Sequence, residues 1–134
     1  NIMAITKDAL VQNVVHKFVT INLADVTTAT DFAAIDIPPN SVILSGSLYT
    51  TEAWNSTTSD VMDVGDSASQ NRYLNDGNIR SLAALVALVP AGFVHPRGSL
   101  TVRWVSGGGT PTTGKVRLGV TYAQIGQGIG TYET

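Results

Sequence analysis

The sequence contains no cysteine and few charged side chains among its 134 residues. The lack of cysteine excludes a disulfide-stapled scaffold, a cysteine-ligated zinc or iron–sulfur site and a thiol nucleophile. Charged residues make up 13% of the chain, about half of the roughly 25% that is typical of soluble domains. Eight basic and ten acidic residues give a net charge of −2. The clustered basic excess of a nucleic-acid-binding protein is therefore missing, and no nucleic-acid partner is expected.

Long hydrophobic runs are also missing. The longest apolar run, Leu82–Val89, is closed by Pro90, whereas a transmembrane helix needs about 20 apolar residues. We therefore interpret this run as core material and expect no membrane partner.

Small hydroxyl residues make up for the low number of charged residues, since the chain has 16 Thr and 10 Ser. A surface rich in Thr, Ser and Gly suits β-structure, and with so little charge it repels neighbouring molecules weakly. We hypothesise that much of this surface is covered when the protein works. The length corresponds to one domain with a core of its own.

Two segments near the C-terminus alternate apolar and polar residues. These segments, Ser99–Val105 and Lys115–Tyr122, have the period of two that is typical of half-buried antiparallel strands. We interpret them as a β-hairpin joined by the loop Gly107–Gly114. Three basic residues would share its outward face, either as a solvated surface or as a contact patch for an acidic partner: Arg103, Lys115 and Arg117.

Further strands are predicted from runs of β-branched and aromatic residues between turn signals. They are Val14–Ile21, Phe32–Ile37, Ser41–Trp54 with a bend at Gly46, and Asp60–Val64. Asp66–Asn78 is predicted to be a loop with one short turn at Arg72–Leu74, and Ser81–Val89 is either a helical turn or a buried strand. This spacing indicates an all-β, antiparallel, jelly-roll-like β-sandwich of about eight strands with extended termini. The sandwich would span residues 14–123, with an N-terminal arm at 1–13 and a C-terminal arm at 124–134.

Residues with catalytic or metal-binding chemistry do not form a motif. His16 and His95 are far apart and have no neighbouring ligands, so neither indicates a metal site. We interpret His95, which precedes Pro96, as an ordinary loop residue. The Gly-x-Ser-x-Gly turn of hydrolases and the Lys-Ser/Thr of a phosphate-binding loop are absent. We therefore expect no enzyme activity, cofactor or metal, and we assign Trp54 and Trp104 to the core.

One cluster of carboxylates lies on a predicted strand and the loop after it. Its members are Asp60, Asp63, Asp66 and Asp76. Their order is not that of a calcium-binding loop, and such residues commonly hydrogen-bond their own backbone in turns. We expect Asp63 or Asp66 to pair with Arg72.

Three passages resemble small structural proteins of tailed bacteriophages. They are D-V-G-D followed by R-Y-L in Asp63–Leu74, I-x-I-P-P-N-S-V-I-L in Ile35–Leu44, and the strand–loop–strand ending of Thr101–Tyr122. The resemblance covers most of the chain from about residue 14 onward. It implies a virion component, commonly a β-sandwich cement or decoration protein that sits on a head shell, often as a trimer.

The resemblance and the composition together predict a cement protein on the capsid surface. We expect it to bind the major capsid protein, to form a homotrimer and to bridge shell subunits with its arms. The candidate interface residues are Arg103, Lys115, Arg117, Asp63, Asp66 and Arg72. The alternatives are a tail or fibre-associated β-sandwich protein, acting as an adaptor or binding a receptor glycan, and a small hydrolase on a β-scaffold.

Overall fold

The protein is built almost entirely of β-strands. The computed structural model describes residues 14–83, 85–96 and 98–125. These residues form nine strands and one short 3₁₀ helix, Leu23–Asp25. The strands are β1 (Val14–Asn22), β2 (Thr30–Ile37), β3 (Ser41–Glu52), β4 (Asp60–Gly65), β5 (Leu74–Asn78), β6 (Leu85–Ala87), β7 (Val94–His95), β8 (Gly98–Ser106) and β9 (Lys115–Gln124).

The strands form two antiparallel sheets. One sheet has the order β1-β9-β3-β6, with β7 paired to the beginning of β3, and the other has the order β2-β8-β4-β5. The chain crosses between the sheets after almost every strand, which is the jelly-roll arrangement. The predicted fold class, an all-β, antiparallel, jelly-roll-like β-sandwich, is confirmed.

The core lies between the two sheets and is made of the inward residues of each alternating strand. Val116, Leu118, Val120 and Tyr122 of β9 are all buried, as expected from their period of two. Trp54 and Trp104 are buried as predicted, and their ring centroids lie 5.2 Å apart. The predicted core assignment of both tryptophans is confirmed.

The prediction of a hairpin near the C-terminus is wrong. Both strands exist, but β8 pairs with β2 and β4, whereas β9 pairs with β1 and β3 in the other sheet. Periodicity shows which side chains of a strand are buried but not which strand lies beside it. The connecting residues 107–114 instead cross the roughly 10 Å between the sheets. Gly114 allows this, because a Cβ there would lie 2.5 Å from the Trp54 ring.

The assignment of Leu82–Val89 to the core is wrong for most of this run. Leu82 is 65% exposed and Leu85 is 68% exposed, while Leu88 is buried. Part of the run forms the edge strand β6, which decides the choice between helical turn and strand in favour of a strand. An edge strand of a sandwich has one face toward the core and the other toward solvent, so only half of its apolar residues can be buried.

The predicted loop Asp66–Asn78 contains an unpredicted strand, β5, which forms a hairpin with β4. Strand β3 begins at Ser41 as predicted but ends at Glu52, before the predicted Trp54. Its register shifts between Ile43 and Ser45, next to the predicted bend at Gly46. The predicted arms lie outside the described residues, apart from Gln124, which ends β9, and Ile125.

Candidate interaction surfaces

The outer side of the β1-β9-β3-β6 sheet carries exposed apolar side chains, and we call it the apolar face. Strand pairing places four residues side by side across it: Thr20, Arg117, Tyr49 and Leu85. Phe18 lies in the adjacent row and is 62% exposed, although it belongs to a strand of the sandwich. Val14 and Val94 are exposed at the far end of the same face. Clustered apolar exposure of this kind is a mark of an interaction surface.

The middle of the apolar face is shallow. The row that begins with Phe18 continues with Gly119, Ser47 and Ala87, all of which are small. Phe18 therefore stands at the side of a trough with a floor of backbone and small side chains. The His16 ring lies over Gly119, 3.2 Å from the place of a Cβ there, so a flat partner could reach this floor only at Ser47 and Ala87.

Arg117 supplies positive charge beside Phe18. Its guanidinium lies 5.1 Å from the centroid of the Phe18 ring, within the range of a cation–π contact. Neither Arg117 nor the neighbouring Lys115 forms a salt bridge with any residue of the described ranges. Glu52, which is opposite Lys115, instead accepts a hydrogen bond from the Gly114 amide at 3.0 Å. Both cations of this face are thus available to a carboxylate of another molecule.

The outer side of the β2-β8-β4-β5 sheet has a different character, and we call it the charged face. Asp31, Arg103 and Asp63 are neighbours across three strands. Arg103 donates two hydrogen bonds to Asp31, with Nε–Oδ1 at 2.7 Å and Nη2–Oδ2 at 3.2 Å. Hydrogen bonding to Asp31 raises the pKa of Arg103 above its usual range.

Asp63 is the buried member of the charged face. Burial raises the pKa of Asp63, against the lowering effect of the hydrogen bond that its Oδ1 accepts from the Asp76 amide at 2.6 Å. The negative charge of Asp76 adds to the increase, and the positive charge of Arg103 opposes it. The charges of this face are therefore directed largely at one another.

A third polar group surrounds Asp66 at one end of the sandwich. The Asp66 carboxylate accepts hydrogen bonds from Arg72 Nε at 2.6 Å and from the amides of Ala68 and Ser69. Burial opposes ionisation of Asp66, but these hydrogen bonds outweigh it and the pKa of Asp66 is lowered. The Arg72 guanidinium also stacks on Phe93 at 3.6 Å. The predicted Asp66–Arg72 pair is confirmed, while Asp63 does not take this role.

His95 lies against the same group and is 1% exposed. Its Nδ1 is 3.7 Å from Asp66 Oδ2, too far for a hydrogen bond, and has no other partner among the described residues. Burial lowers the pKa of His95, and the negative charge of Asp66 opposes this only in part. Burial also raises the pKa of the nearby Tyr73 to about 12. The interpretation of His95 as an ordinary loop residue is wrong, because β7 carries it into the interior.

The cavities are small. The one beside His95 has a volume of about 40 Å³, enough for a few waters at about 10–15 Å³ each. A larger cleft of about 200 Å³ opens between β1 and β2, next to Val19, Ile21 and Phe32. In residues 14–83, 85–96 and 98–125, no group of three or more side chains is placed to hold a metal ion. Within the same ranges, no helix has the length and hydropathy needed to cross a membrane.

The prediction that Arg103 shares a surface with Lys115 and Arg117 is wrong. All three residues point outward from their strands, as predicted. However, β8 and β9 belong to different sheets, so Arg103 lies on the opposite side of the protein from Lys115 and Arg117. Asp63 lies beside Arg103 on the charged face, and the Asp66–Arg72 pair lies in the loop between β4 and β5.

Sequence reasoning missed two features. Asp60 is fully buried, and it accepts hydrogen bonds from Trp104 Nε1 at 2.9 Å and from the Ser56 amide at 3.0 Å. The apolar face was missed because the exposed members of the run Leu82–Val89 had been assigned to the core. The exposure of Phe18 could have been predicted from the sequence, because Phe18 lies two residues from His16 and from Thr20 and points to the same outer side of β1.

Three phage capsid structures contain chains with this fold. A chain of the cyanophage Pam1 capsid asymmetric unit has a TM-score of 0.67 and 18% sequence identity, covering 92% of this chain and 93% of that chain. A chain of the Ralstonia phage GP4 capsid has a TM-score of 0.59 and 12% identity, covering 95% and 92%. A chain of the acidic stable capsid structure of Helicobacter pylori bacteriophage KHP30 has a TM-score of 0.56 and 13% identity, covering 84% and 92%.

At these identities the likeness shows a shared fold over nearly the whole length of both chains. The resemblance to phage structural proteins is thereby confirmed at the level of the fold. No protein-family model matches the chain, and no curated protein matches it.

Proposed function

We propose that this protein is a structural, non-catalytic component of a tailed-phage virion. Specifically, it would be a cement or decoration protein that binds the major capsid protein on the outside of the head. The observation that carries this proposal is the fold, which is shared along nearly the full chain with proteins of three phage capsids.

The surface of the molecule supports the same role. A protein that stabilises a shell needs a rigid body and a surface that tolerates contact on more than one side. The jelly roll supplies the body, and its buried Trp54–Trp104 pair and Asp60 connect loops to the sheets. The exposed apolar side chains and the low charge content supply a surface that other proteins can cover at little desolvation cost.

Bridging of subunits is the finer part of the proposal. We propose a homotrimer placed over a junction of shell subunits, with the segments 1–13 and 124–134 as arms that reach neighbouring subunits. Several weak contacts on one rigid trimer would combine into firm attachment, because each contact after the first is intramolecular.

The alternative is a tail or fibre-associated protein that serves as an adaptor or binds a receptor glycan. Such a role would be favoured by exposed aromatic residues gathered at one loop end of the sandwich. Both tryptophans are instead buried, and the exposed aromatic residue Phe18 lies on a sheet face. We therefore prefer the capsid role. Asp66 and His95 lie together at a cavity, but its volume of about 40 Å³ leaves no room for a substrate, so this pair does not favour a hydrolase.

Binding to heads tests the proposal directly. Purified protein is mixed with expanded empty heads of the phage that encodes it, and bound protein is measured after sedimentation, while electron microscopy shows its position and copy number. We expect saturable binding at hundreds of sites on the head surface. A monomer that stays in the supernatant at high concentration, or a few copies at one vertex, would contradict the proposal.

A further inference from the structure

We propose that the apolar face is the surface with which this protein docks onto the shell. The occupant would be a protein surface of the capsid subunit that presents apolar side chains to Phe18 and Leu85 and a carboxylate to Arg117. This inference rests on the proposed function, and it names the side of the sandwich that the function would use.

Large apolar side chains of the apolar face are exposed to water, which is unfavourable. Phe18 and Leu85 are each more than three-fifths exposed, and Tyr49 between them is 40% exposed. A large apolar side chain contributes about 1.5–3 kcal/mol when it is fully buried. Aromatic residues and Arg are also enriched at the centres of protein interfaces, whereas Lys and Glu are depleted there.

The cations of the apolar face are complementary to an acidic partner surface. Arg117 and Lys115 form no salt bridge within the described part of the chain, whereas Arg103 on the opposite side is held by Asp31 at 2.7 Å. The contact with Phe18 orders the Arg117 guanidinium without neutralising it. A carboxylate from a partner could therefore bind Arg117 without displacing an internal ion pair.

The shape and size of the apolar face also suit docking onto a shell. Ser47 and Ala87 form the open part of the trough floor, since the His16 ring covers Gly119, so a partner side chain can approach the backbone of the sheet at these two small residues. From strand spacing and rise, the face measures roughly 15 Å by 30 Å. One such face is smaller than the about 800 Å² that each partner buries in a standard stable complex. Docking through this face would therefore depend on several copies acting together, as in the proposed homotrimer.

The charged face is the less suitable side. Asp31, Asp63 and Arg103 already contact one another, so a partner would have to replace satisfied ion pairs and hydrogen bonds. Replacing such contacts brings little net affinity. The two faces therefore make a matched pair for experiment, since one is expected to bind the shell and the other to remain outward.

The test compares Phe18→Asp and Leu85→Asp with Ala33→Asp, which adds the same charge at an exposed position of the charged face. Each variant is checked by circular dichroism and thermal melting, its oligomeric state is measured by analytical ultracentrifugation, and it is titrated against expanded empty heads. Phe18→Ser is measured as well, so that the test survives if an aspartate variant does not fold. We expect Phe18→Asp to weaken binding about 30-fold or more and Ala33→Asp to bind like the wild type.

The possible negative results distinguish the docking inference from the proposed function. If the wild type binds heads and Phe18→Asp binds equally well, the docking inference is wrong and the proposed function stands. If the wild type does not bind heads at all, the proposed function itself fails. If Phe18→Asp is monomeric while the wild type is trimeric, the apolar face is a contact between copies, and the inference is overturned in favour of a second copy as its occupant.

Discussion

Arg103 and Arg117 lie on opposite faces of the same sandwich and differ in what they contact. Arg103 is held by two hydrogen bonds to Asp31 and faces Asp63, whereas Arg117 rests on the ring of Phe18 and meets no carboxylate of the described residues. The charged face satisfies its charges internally, while the apolar face leaves both a cation and apolar surface unsatisfied. The few charges of the protein are therefore paired with one another on the charged face and left open to a partner on the apolar face.

We expect the charged face to contribute mainly to the stability of the fold and the apolar face mainly to assembly with other proteins. Residues of the β2-β8-β4-β5 sheet are connected through polar contacts that are lost on unfolding, so substitutions there should lower stability. Residues of the apolar face have few such contacts, so substitutions there should alter binding instead. The following predictions test this separation, beginning with the largest effect.

Asp60→Ala should cause the largest loss. Asp60 is the first residue of β4, and its side chain is fully buried. Its carboxylate accepts hydrogen bonds from Trp104 and from the Ser56 amide, and Arg80 Nη1 lies 3.7 Å from it. Removing it leaves buried donors unpaired, which should lower the free energy of unfolding by about 3–5 kcal/mol. Urea-induced unfolding measures the loss. The control is Asp36→Ala, at an exposed aspartate, and equal effects of the two substitutions would contradict the prediction.

The two arginines should differ in the same experiment. Arg103→Ala removes the cation beside the buried carboxylate of Asp63, so we expect it to lower the free energy of unfolding by more than Arg117→Ala does. Arg117→Ala removes only a contact with an exposed ring and should change stability by less than about 0.5 kcal/mol. Unfolding curves of the two variants test the comparison between the faces directly. A larger loss for Arg117→Ala would show that the apolar face also stabilises the fold.

Stability should fall as the pH is lowered below the unfolded pKa of His95, about 6.5. Because burial lowers the pKa of His95 in the folded protein, the unfolded chain binds its proton more readily, and acid favours unfolding. Asp66 adds a further loss at more acidic pH, since its lowered folded pKa stabilises the protein above the unfolded value of about 3.8. Asp63 acts in the opposite sense, because its pKa is raised.

Thermal melting between pH 7 and pH 5 isolates the contribution of His95. We expect the melting temperature of the wild type to fall over this interval and that of His95→Gln to change less. His16→Gln is the control, since His16 lies exposed on β1. A pH profile that His95→Gln leaves unchanged would rule out His95 as the source of the decline.

Leu85→Ser should have the smallest effect on stability. The Leu85 side chain is mostly exposed at the edge of the apolar face, so its truncation should change the free energy of unfolding by about 0.5 kcal/mol or less. The control is Leu48→Ser on the neighbouring strand, where the same change removes a buried side chain and should cost about 3 kcal/mol. Similar losses would mean that Leu85 belongs to the core, as its sequence context had suggested.

The polar contacts were predictable to different degrees. The Asp66–Arg72 pair was found from sequence because both residues lie in one short loop, where a turn brings them together. The Arg103–Asp31 pair was not, since it depends on the alignment of β2 with β8, which are separated by more than sixty residues. Strand β5 was missed because its residues, Leu-Asn-Asp-Gly-Asn, are typical of turns, and pairing with β4 outweighs that preference.

The sequence by itself determined the strands with a clear alternation of apolar and polar residues, and the buried side of each. The alternation in β8 and β9 identified Leu100, Val102, Leu118 and Val120 as inward residues, because side-chain direction in a strand depends only on local backbone geometry. Tertiary structure alone decided that these two strands enter different sheets, and therefore that Arg103 and Arg117 lie on opposite faces. Pairing depends on contacts between distant segments, and a local pattern fits any partner that buries the same side.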